Sequence, residues 1–448
     1  MVQLTEHQSV KLDEGLEILE TSNRLVIKGS AGTGKTTLVD ELIRRLIDNI
    51  TSYKKVYVTA PTNQAVSILA DKIEINLGKI ELLTTHSALK ISKLINKHTG
   101  IETFEPVYNE KNRPLAGVAL LIVDESSMIG IKMLEWIEEH ATKFKTMVIF
   151  IGDDKQLFPV KEKASPVFLG KPISKNEEGE WCEFEEYPSI ELTEIIRQKE
   201  GNPIIKLSNQ MSKIWEYDSK LVEEKGFVYT NDEVKIIERL AKVNGSNELK
   251  YLAFHNAVVD DINQRVRSCI YGGNPAKVEL GESLLFSDFY GGYYTNQAIK
   301  VDTLDIVDIP FNIVIKEYPN FETSKVTLKC YVINGQQVDE WDDGNLKWQG
   351  IFVIHEDAEN QFKALSKLLL YACGRKELKW TTKSKFLAKF ANFKYNHART
   401  VHTSQGSTYQ QVILNVGNIM SNSDDGERQR LLYTGITRAS DLLILYNT

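Results

Sequence analysis

Four short apolar runs in the first half of the chain end in polar or glycine-containing turns and are separated by stretches of helical spacing: Leu25-Val26-Ile27, Val56-Tyr57-Val58, Leu120-Leu121-Ile122-Val123 and Met147-Val148-Ile149-Phe150-Ile151. Strands this continuously apolar are what a parallel sheet covered by helices on both faces needs. A second set follows at Tyr251-Leu252-Ala253-Phe254, Val412-Ile413-Leu414 and Leu442-Leu443-Ile444-Leu445. The pattern therefore predicts two stacked α/β domains. Two stretches break the rhythm. Residues 91–116, with Gly100, Pro106 and Pro114, are too irregular for a βα unit and read as an insertion in the first domain. Residues 283–360 alternate with period two, as in Val326-Thr327-Leu328-Lys329-Cys330-Tyr331-Val332, and carry the turn signals Asn334-Gly335 and Asp343-Gly344. They predict a small antiparallel barrel inserted in the second domain.

The first apolar run leads into Gly29-Ser30-Ala31-Gly32-Thr33-Gly34-Lys35-Thr36, and a helical pattern (Leu38, Leu42, Ile43, Leu46) follows. This is G-x-x-x-x-G-K-[ST] between a strand and a helix, where successive backbone N–H groups point at phosphates. Gly32 and Gly34 let the backbone approach, Lys35 reaches the β- and γ-phosphates, and the Thr36 hydroxyl holds Mg²⁺. Gly29, Ala31, Thr33 and Thr37 complete the predicted nucleotide cradle. The chain is expected to bind and hydrolyse a nucleoside triphosphate with Mg²⁺.

Two further patterns fit that chemistry. Asp124-Glu125 closes an apolar strand, which places Asp124 to bind the metal and Glu125 to polarise an attacking water. Gly152-Asp153-Asp154-Lys155-Gln156-Leu157 follows the next strand at its carboxyl end, where open α/β sheets bind ligands, and Gln156 is placed to sense the γ-phosphate.

Composition narrows the rest. The 448 residues, 42% of them hydrophobic, suffice for more than one core. No run approaches the ~18 apolar residues of a membrane span, and Met1–Val10 lacks the features of a signal peptide, so a cytoplasmic location without membrane association is expected. Cys182, Cys269, Cys330 and Cys373 are widely separated and read as packing residues. Net charge is −7, but residues 361–400 carry ten Lys/Arg against the single acid Glu377, whereas residues 176–194 carry eight Glu and no base. The basic stretch is interleaved with Trp380, Phe386, Phe390, Phe393 and Tyr395. It reads either as a nucleic-acid groove or as a solvated helix face.

The order of motifs resembles superfamily 1 helicases, in the 5′-to-3′ branch known as superfamily 1B or the RecD/Dda type, from Leu4 to Tyr446. Leu4-Thr5-Glu6-His7-Gln8 looks like the Q motif, with Gln8 reading the adenine. Ala60-Pro61-Thr62-Asn63 and Thr84-Thr85-His86-Ser87 resemble motifs Ia and Ib, which grip single-stranded DNA. Asp124-Glu125-Ser126-Ser127-Met128 and Gly152 to Pro159 resemble motifs II and III, and Leu192 to Gln198 resembles motif IV, whose Arg197 faces the γ-phosphate. Val401-His402-Thr403-Ser404-Gln405-Gly406-Ser407-Thr408 is similar to motif V. Tyr433-Thr434-Gly435-Ile436-Thr437-Arg438-Ala439 is similar to motif VI, with Arg438 as the arginine finger. The family commonly has Lys where Thr403 stands, Leu-Pro-Pro where Leu157-Phe158-Pro159 stands, and Ala at Gly435.

The resemblance implies an α/β fold of two RecA-like parallel-sheet domains, a P-loop NTPase, with a small hairpin insertion and an SH3-like β-barrel insertion. Domain 1A would comprise 1–90 and 117–195, the pin domain 1B 91–116, domain 2A 196–282 and 396–448, and domain 2B 283–395. It implies a monomer acting on single-stranded DNA and on single-strand/duplex junctions, with single-strand-binding or recombination proteins as further partners. The DNA-contacting residues it implies are Pro61, Thr62, Asn63, Thr85, His86, Phe158, Pro159, His402, Thr403 and Gln405. Phe104, inside the insertion, is either the wedge that splits a fork or an anchor for the hairpin. Two rival readings are a translocase that strips proteins or loads recombination factors, and an ATP-switch subunit without motor activity. Lys35→Ala tests the phosphate loop: ATP turnover should fall by ~10³ or more with the fold retained, because the loop lysine serves phosphate charge and not the core. Turnover within about tenfold of wild type would remove the argument.

Overall fold

The computed structural model describes residues 4–47, 54–73, 79–96, 98–194, 203–209, 226–291, 293, 295–313, 324–337 and 350–447. In the first part, α1 (Glu6–Thr21), β1 (Arg24–Gly29), α2 (Lys35–Ile47), β2 (Lys55–Ala60), α3 (Asn63–Lys72), β3 (Ile80–Thr84) and α4 (Thr85–Ala88) precede the hairpin β4 (Ile91–Ile95) and β5 (Glu102–Pro106). Then come β6 (Val118–Val123), α5 (Ile131–Phe144), β7 (Met147–Gly152), α6 (Pro166–Leu169), the hairpin β8 (Lys171–Lys175) and β9 (Trp181–Glu185), and β10 (Ser189–Leu192). Six of these strands form a parallel sheet in the order β10-β1-β7-β6-β2-β3.

The apolar runs become central strands because alternate residues feed opposite cores. Along β6 and β7, Leu120, Ile122, Ile149 and Ile151 pack under α1, α2 and α3, whereas Leu121, Val123, Val148 and Phe150 pack against Leu134, Ile137 and Ala141 of α5. Each fully buried aliphatic contributes ~1.5–3 kcal/mol. The outer strands β3 and β10 carry too few consecutive apolar residues to stand out in the sequence, and they are recruited by pairing with β2 and β1. The glutamate-rich stretch is largely the hairpin β8–β9, built out from this sheet.

A second parallel sheet is assembled from both sides of an insertion. Its first elements are α7 (Pro203–Asn209), β11 (Phe227–Thr230), α8 (Glu233–Val243), β12 (Leu249–Ala253) and α9 (Asn256–Tyr271). The inserted part holds β13 (Ser283–Phe286), β14 (Ala298–Ile313), β15 (Ser324–Gln337), β16 (Ile351–Ile354), α10 (Glu359–Gly374), α11 (Trp380–Leu387) and β17 (Phe393–Tyr395). The chain then returns through β18 (Ala398–Thr400), β19 (Tyr409–Asn415), α12 (Val416–Met420), α13 (Asp425–Ile436) and β20 (Ala439–Tyr446). The second sheet runs β11-β20-β19-β12-β18, and the inserted strands pair antiparallel as β16-β15-β14-β13-β17.

Three readings of the sequence need correction. Asn334-Gly335 is not a turn: both residues lie inside β15, opposite Thr303 and Val301 where the register of β14 shifts. A Cβ on Gly335 would sit 2.4 Å from the Lys300 carbonyl oxygen, so glycine serves close approach there. Asp343-Gly344 lies outside the described residues. In the basic stretch, Phe386 and Phe390 face inward with Phe311 and Phe362, which excludes them from any groove. Finally, only Cys330 and Cys373 are packing residues, since Cys182 and Cys269 are exposed. Among the described residues no helix is long and apolar enough to cross a membrane.

Where the second sheet meets the insertion, the contact is polar and buried. Lys250, 0% exposed, donates to the carbonyls of Gly245, Ser246 and Asn396 at 2.8, 2.8 and 2.6 Å. Arg267 of α9 pairs with buried Glu282 and stacks on Tyr395 of β17, 3.9 Å from the ring centroid. Removing one partner of such a pair typically costs ~3–5 kcal/mol. His397 sits beside these cations with both ring nitrogens unpartnered among the described residues, and burial first, then Lys250 and Arg267, push its pKa down to about 3. A histidine neutral in the fold but protonated near its ordinary 6.5 when unfolded stabilises above that pH and loses stability as pH falls below it. Wild type should therefore lose up to ~1.4 kcal/mol per pH unit below the ordinary histidine range, whereas His397→Leu should not. Urea unfolding at about pH 7.5 and about pH 5.5 checks this, and equal pH dependence of the two proteins would refute it.

Candidate active site

The phosphate loop turns where the sequence placed it. Gly32 and Gly34 adopt left-handed φ of 86° and 76°, and α2 begins at Lys35. The Lys35 ammonium donates to the carbonyls of Gly29 and Ser30 at 2.7 and 3.1 Å, folded over the loop it would leave for a phosphate. Gln8 is buried beneath: its backbone N–H and amide oxygen form a capping box with Thr5, and its amide nitrogen donates to the carbonyls of Thr33 and Gly34 at 3.3 Å each. It braces the loop from behind.

At the carboxyl end of β6, the Asp124 carboxylate accepts from the Glu125 N–H at 2.9 Å, and Glu125 itself is held at a left-handed φ of 48°. A non-glycine residue there carries ~1–3 kcal/mol of strain, sustained only by its surroundings and typical of sites where a side chain must be aimed. Gln156 is 3% exposed and its amide oxygen is buried without a hydrogen-bond partner among the described residues. Buried unpaired acceptors are costly, and Gln156 is one of the residues that line the cleft.

Lys35, Thr36, Asp124, Glu125, Gln156 and Arg438 line one cleft of about 240 Å³, with Ala31, Gly32, Gly34 and Thr37 on the loop side and Gly406, Thr408 and Thr437 on the other. Arg438 is buried and held by the carbonyls of Thr434 and Ser407 at 3.1 and 3.0 Å, so its guanidinium is fixed before any ligand arrives. The two sheets thus contribute a phosphate loop and an arginine to the same space. Arg197 lies outside the described residues.

Contacts that sequence reasoning did not find close this cleft. The Tyr433 hydroxyl donates to Asp153 at 2.7 Å and accepts from the Ala31 N–H at 3.3 Å. Arg430, one turn earlier on α13, donates to the carbonyls of Asp154 and Gln156 at 2.5 and 2.7 Å and lies 3.5 Å over the Phe158 ring. The Leu157 N–H donates to Thr434, and Gln405 donates to the Leu157 carbonyl. The signal was present only as position: Arg430 and Tyr433 lie on the helix that ends just before Arg438.

The family described as AAA domain matches residues 7–233, and the family described as UvrD-like helicase C-terminal domain matches residues 395–446. The ATP-dependent DNA helicase dda of Enterobacteria phage T4 is 27% identical over 94% of each chain. The RecBCD enzyme subunit RecD of Buchnera aphidicola (subsp. Schizaphis graminum) is 25% identical over 95% of this chain and 71% of its own. The fold matches that of Bacteroides Pif1 bound to ssDNA, with a TM-score of 0.51 at 20% identity over 99% of this chain and 92% of that one. The chain belongs to the superfamily 1B ATP-dependent DNA helicases.

On this superfamily 1B helicase the residues implied for the DNA strand fall into two groups. Pro61, Thr62 and Asn63 at the start of α3, His86, Pro159, His402 and Thr403 keep exposed or half-exposed side chains. Thr62 also caps α3 by accepting from the Ala65 N–H. Thr85 and Gln405 are turned inward, Thr85 onto the Thr59 hydroxyl and Gln405 onto Leu157, so neither presents its side chain to a ligand. Phe158 is half-buried beneath Arg430. Phe104 is 56% exposed on β5, opposite Lys93, which rules against a packing anchor within the hairpin. What braces the hairpin is Trp380 of α11: its indole N–H donates to the His98 carbonyl at 3.1 Å, and its ring lies so close to Gly100 that an added Cβ would be 2.3 Å away.

Arg430→Met keeps the aliphatic stem but removes two charge-assisted hydrogen bonds and a ring contact between the sheets. The expected result is a kcat for ATP lowered ~10-fold or more with KM changed less than ~3-fold, as for a group that assembles the site and does not bind substrate. A steady-state assay showing wild-type kcat would exclude this coupling role.

Proposed function

We propose that this ATP-dependent DNA helicase hydrolyses Mg-ATP in the cleft between its two parallel sheets and converts each cycle into 5′-to-3′ movement along single-stranded DNA. The observation that carries the reading is the convergence of Lys35, Thr36, Asp124, Glu125 and Gln156 with Arg438 from the other sheet. In this reading Lys35 swings from its own loop carbonyls to the β- and γ-phosphates, Glu125 orients the attacking water and Gln156 spends its unpaired oxygen on that water or on the phosphate. Arg438, with Arg197, stabilises charge on the transferring phosphoryl. Thr36 and Asp124 offer the hard oxygen donors that suit Mg²⁺, which would neutralise phosphate charge there. Gln8, implied as the adenine reader, instead serves the loop's shape, because both ends of its buried amide are engaged by Thr5, Thr33 and Gly34.

Movement follows from attaching the arginine and the phosphate loop to different bodies: 1–90 with 117–195 as domain 1A, and 196–282 with 396–448 as 2A. ATP draws them together, hydrolysis removes the anion that holds them, and their grips on the strand alternate. Pro61, Thr62, Asn63 and His86 serve one grip, and His402 and Thr403 the other. Residues 91–116 form the pin 1B, with Phe104 at the fork, and 283–395 form 2B, the SH3-like barrel with its helical extension. The protein acts as a monomer in the cytoplasm, and single-strand-binding or recombination proteins are its fitting partners. The exposed aromatic on a braced hairpin favours strand separation over translocation alone.

Duplexes carrying a 5′ or a 3′ single-stranded tail test this. Wild type should unwind from the 5′ tail only, and unwinding from the 3′ tail would reverse the polarity. Phe104→Ala should lose ~1–3 kcal/mol of stacking at the fork, cutting unwinding at least ~5-fold while DNA-stimulated ATPase stays within about twofold. Equal unwinding by the two proteins would assign the wedge elsewhere.

A further inference from the structure

A second cavity, of about 200 Å³, lies outside the ATP cleft, where the carboxyl ends of the parallel strands β12 and β18 meet the inserted sheet. Arg399 of β18 forms part of its wall and is 5% exposed. Its Nε and Nη2 share a single neutral acceptor, the Asn396 amide oxygen, at 3.2 and 2.8 Å. Its Nη1 is buried with no hydrogen-bond partner among the described residues. A buried guanidinium satisfied by one amide oxygen is costly, because desolvation is repaid only by an anion or by a full set of acceptors.

The rest of the wall is suited to an anion. Asn256, the first residue of the 16-residue helix α9, opens onto the cavity, and the preceding His255 gives the helix no side-chain cap. Val259, Asp260 and Asn263 of the same helix also line it, so one side of α9 forms this part of the wall. Lys394 of β17 supplies an exposed ammonium, while the hydroxyls of Thr400 and Thr403 are bonded to each other and Thr403 donates to the Thr400 carbonyl. Asp260 is the one carboxylate on this wall, exposed, against the two cations Arg399 and Lys394. Thr403 follows His402 directly, so the cavity adjoins the residues assigned to the second grip. Since the residue after His402 carries no charge, positive charge at this point comes from Arg399 and Lys394.

We propose that this cavity is a subsite for one backbone phosphodiester of the single strand, with Arg399 as its buried anchor and Lys394 at its mouth. It rests on the reading of the strand as the substrate. A phosphodiester matches the cavity better than a base does: the wall offers positive charge, and Tyr395, the aromatic that lines it, is already stacked by Arg267.

Binding of a labelled oligothymidine, followed by fluorescence anisotropy across a salt titration, tests it. Each phosphate contact on a single strand contributes ~0.7 to the slope of log affinity against log salt. Arg399→Met should lower that slope by ~0.7 and weaken binding ~10-fold or more at moderate salt, whereas Arg399→Lys should retain most of the slope. Oligonucleotides with one neutral methylphosphonate, scanned along the strand, should reveal one linkage whose neutralisation weakens wild type but not Arg399→Met. Lys394 is exposed, so Lys394→Gln keeps the test standing if Arg399→Met fails to fold, and it should blunt the same linkage. Wild-type slope and wild-type linkage sensitivity in these variants would overturn the subsite. Failure of wild type to bind the oligonucleotide at all would instead overturn the reading of the strand as substrate.

Discussion

The structure turns on one phenol. The Tyr433 hydroxyl is held between the carboxylate of Asp153 and the Ala31 N–H of the phosphate loop, so a helix of the second sheet touches the element that must move when a phosphate arrives. Burial first, and the Asp153 charge next, raise the Tyr433 pKa, which keeps the hydroxyl protonated and donating. An amide that points at phosphate in a nucleotide-bound loop is here bonded to a residue of the opposite sheet. Nucleotide and interdomain contact therefore compete for, or share, the same donor, and the two sheets cannot respond independently to what occupies the cleft.

Arg430, Thr434 and Arg438 extend this contact along α13 and its end. Arg430 fixes the backbone of the segment that carries Gln156, Thr434 accepts from Leu157, and Arg438 reaches the cleft. Arg430 and Thr434, four residues apart, lie on one face of α13, and Arg438 follows just past its end, tied back by donating to the Thr434 carbonyl. The second buried network, around Lys250, Arg267 and Glu282, has the opposite character. It joins the second sheet to its inserted sheet through charges that would be stranded if the two separated. One interface is hydrogen-bonded through single contacts suited to exchange, and the other is pinned.

That difference carries to the hairpin. Trp380 rests on the turn of β4–β5 from α11, a helix of the inserted part. The hairpin is thus rooted in the first sheet and braced by a body fixed to the second. Any force on Phe104 from a fork would be borne by both.

The phosphate loop, the acid pair after β6 and the parallel strands were legible in the sequence because each depends on local rules: glycine conformations, a strand-loop-helix order, and apolar runs long enough to be buried on two faces. The helicase family was legible because its motifs keep their order. Tertiary structure decided what depends on residues far apart. Strands β3 and β10 lack their own apolar signal and exist through their partners. Gly335 looked like a turn and instead relieves a close approach between paired strands. Phe386 and Phe390 are core rather than groove, since only packing says which side of a helix is inside. Tyr433, Arg430 and Arg399 gain their meaning from a loop or a carbonyl hundreds of residues away, or from a cavity shared with another sheet, where linear spacing carries no information about distance.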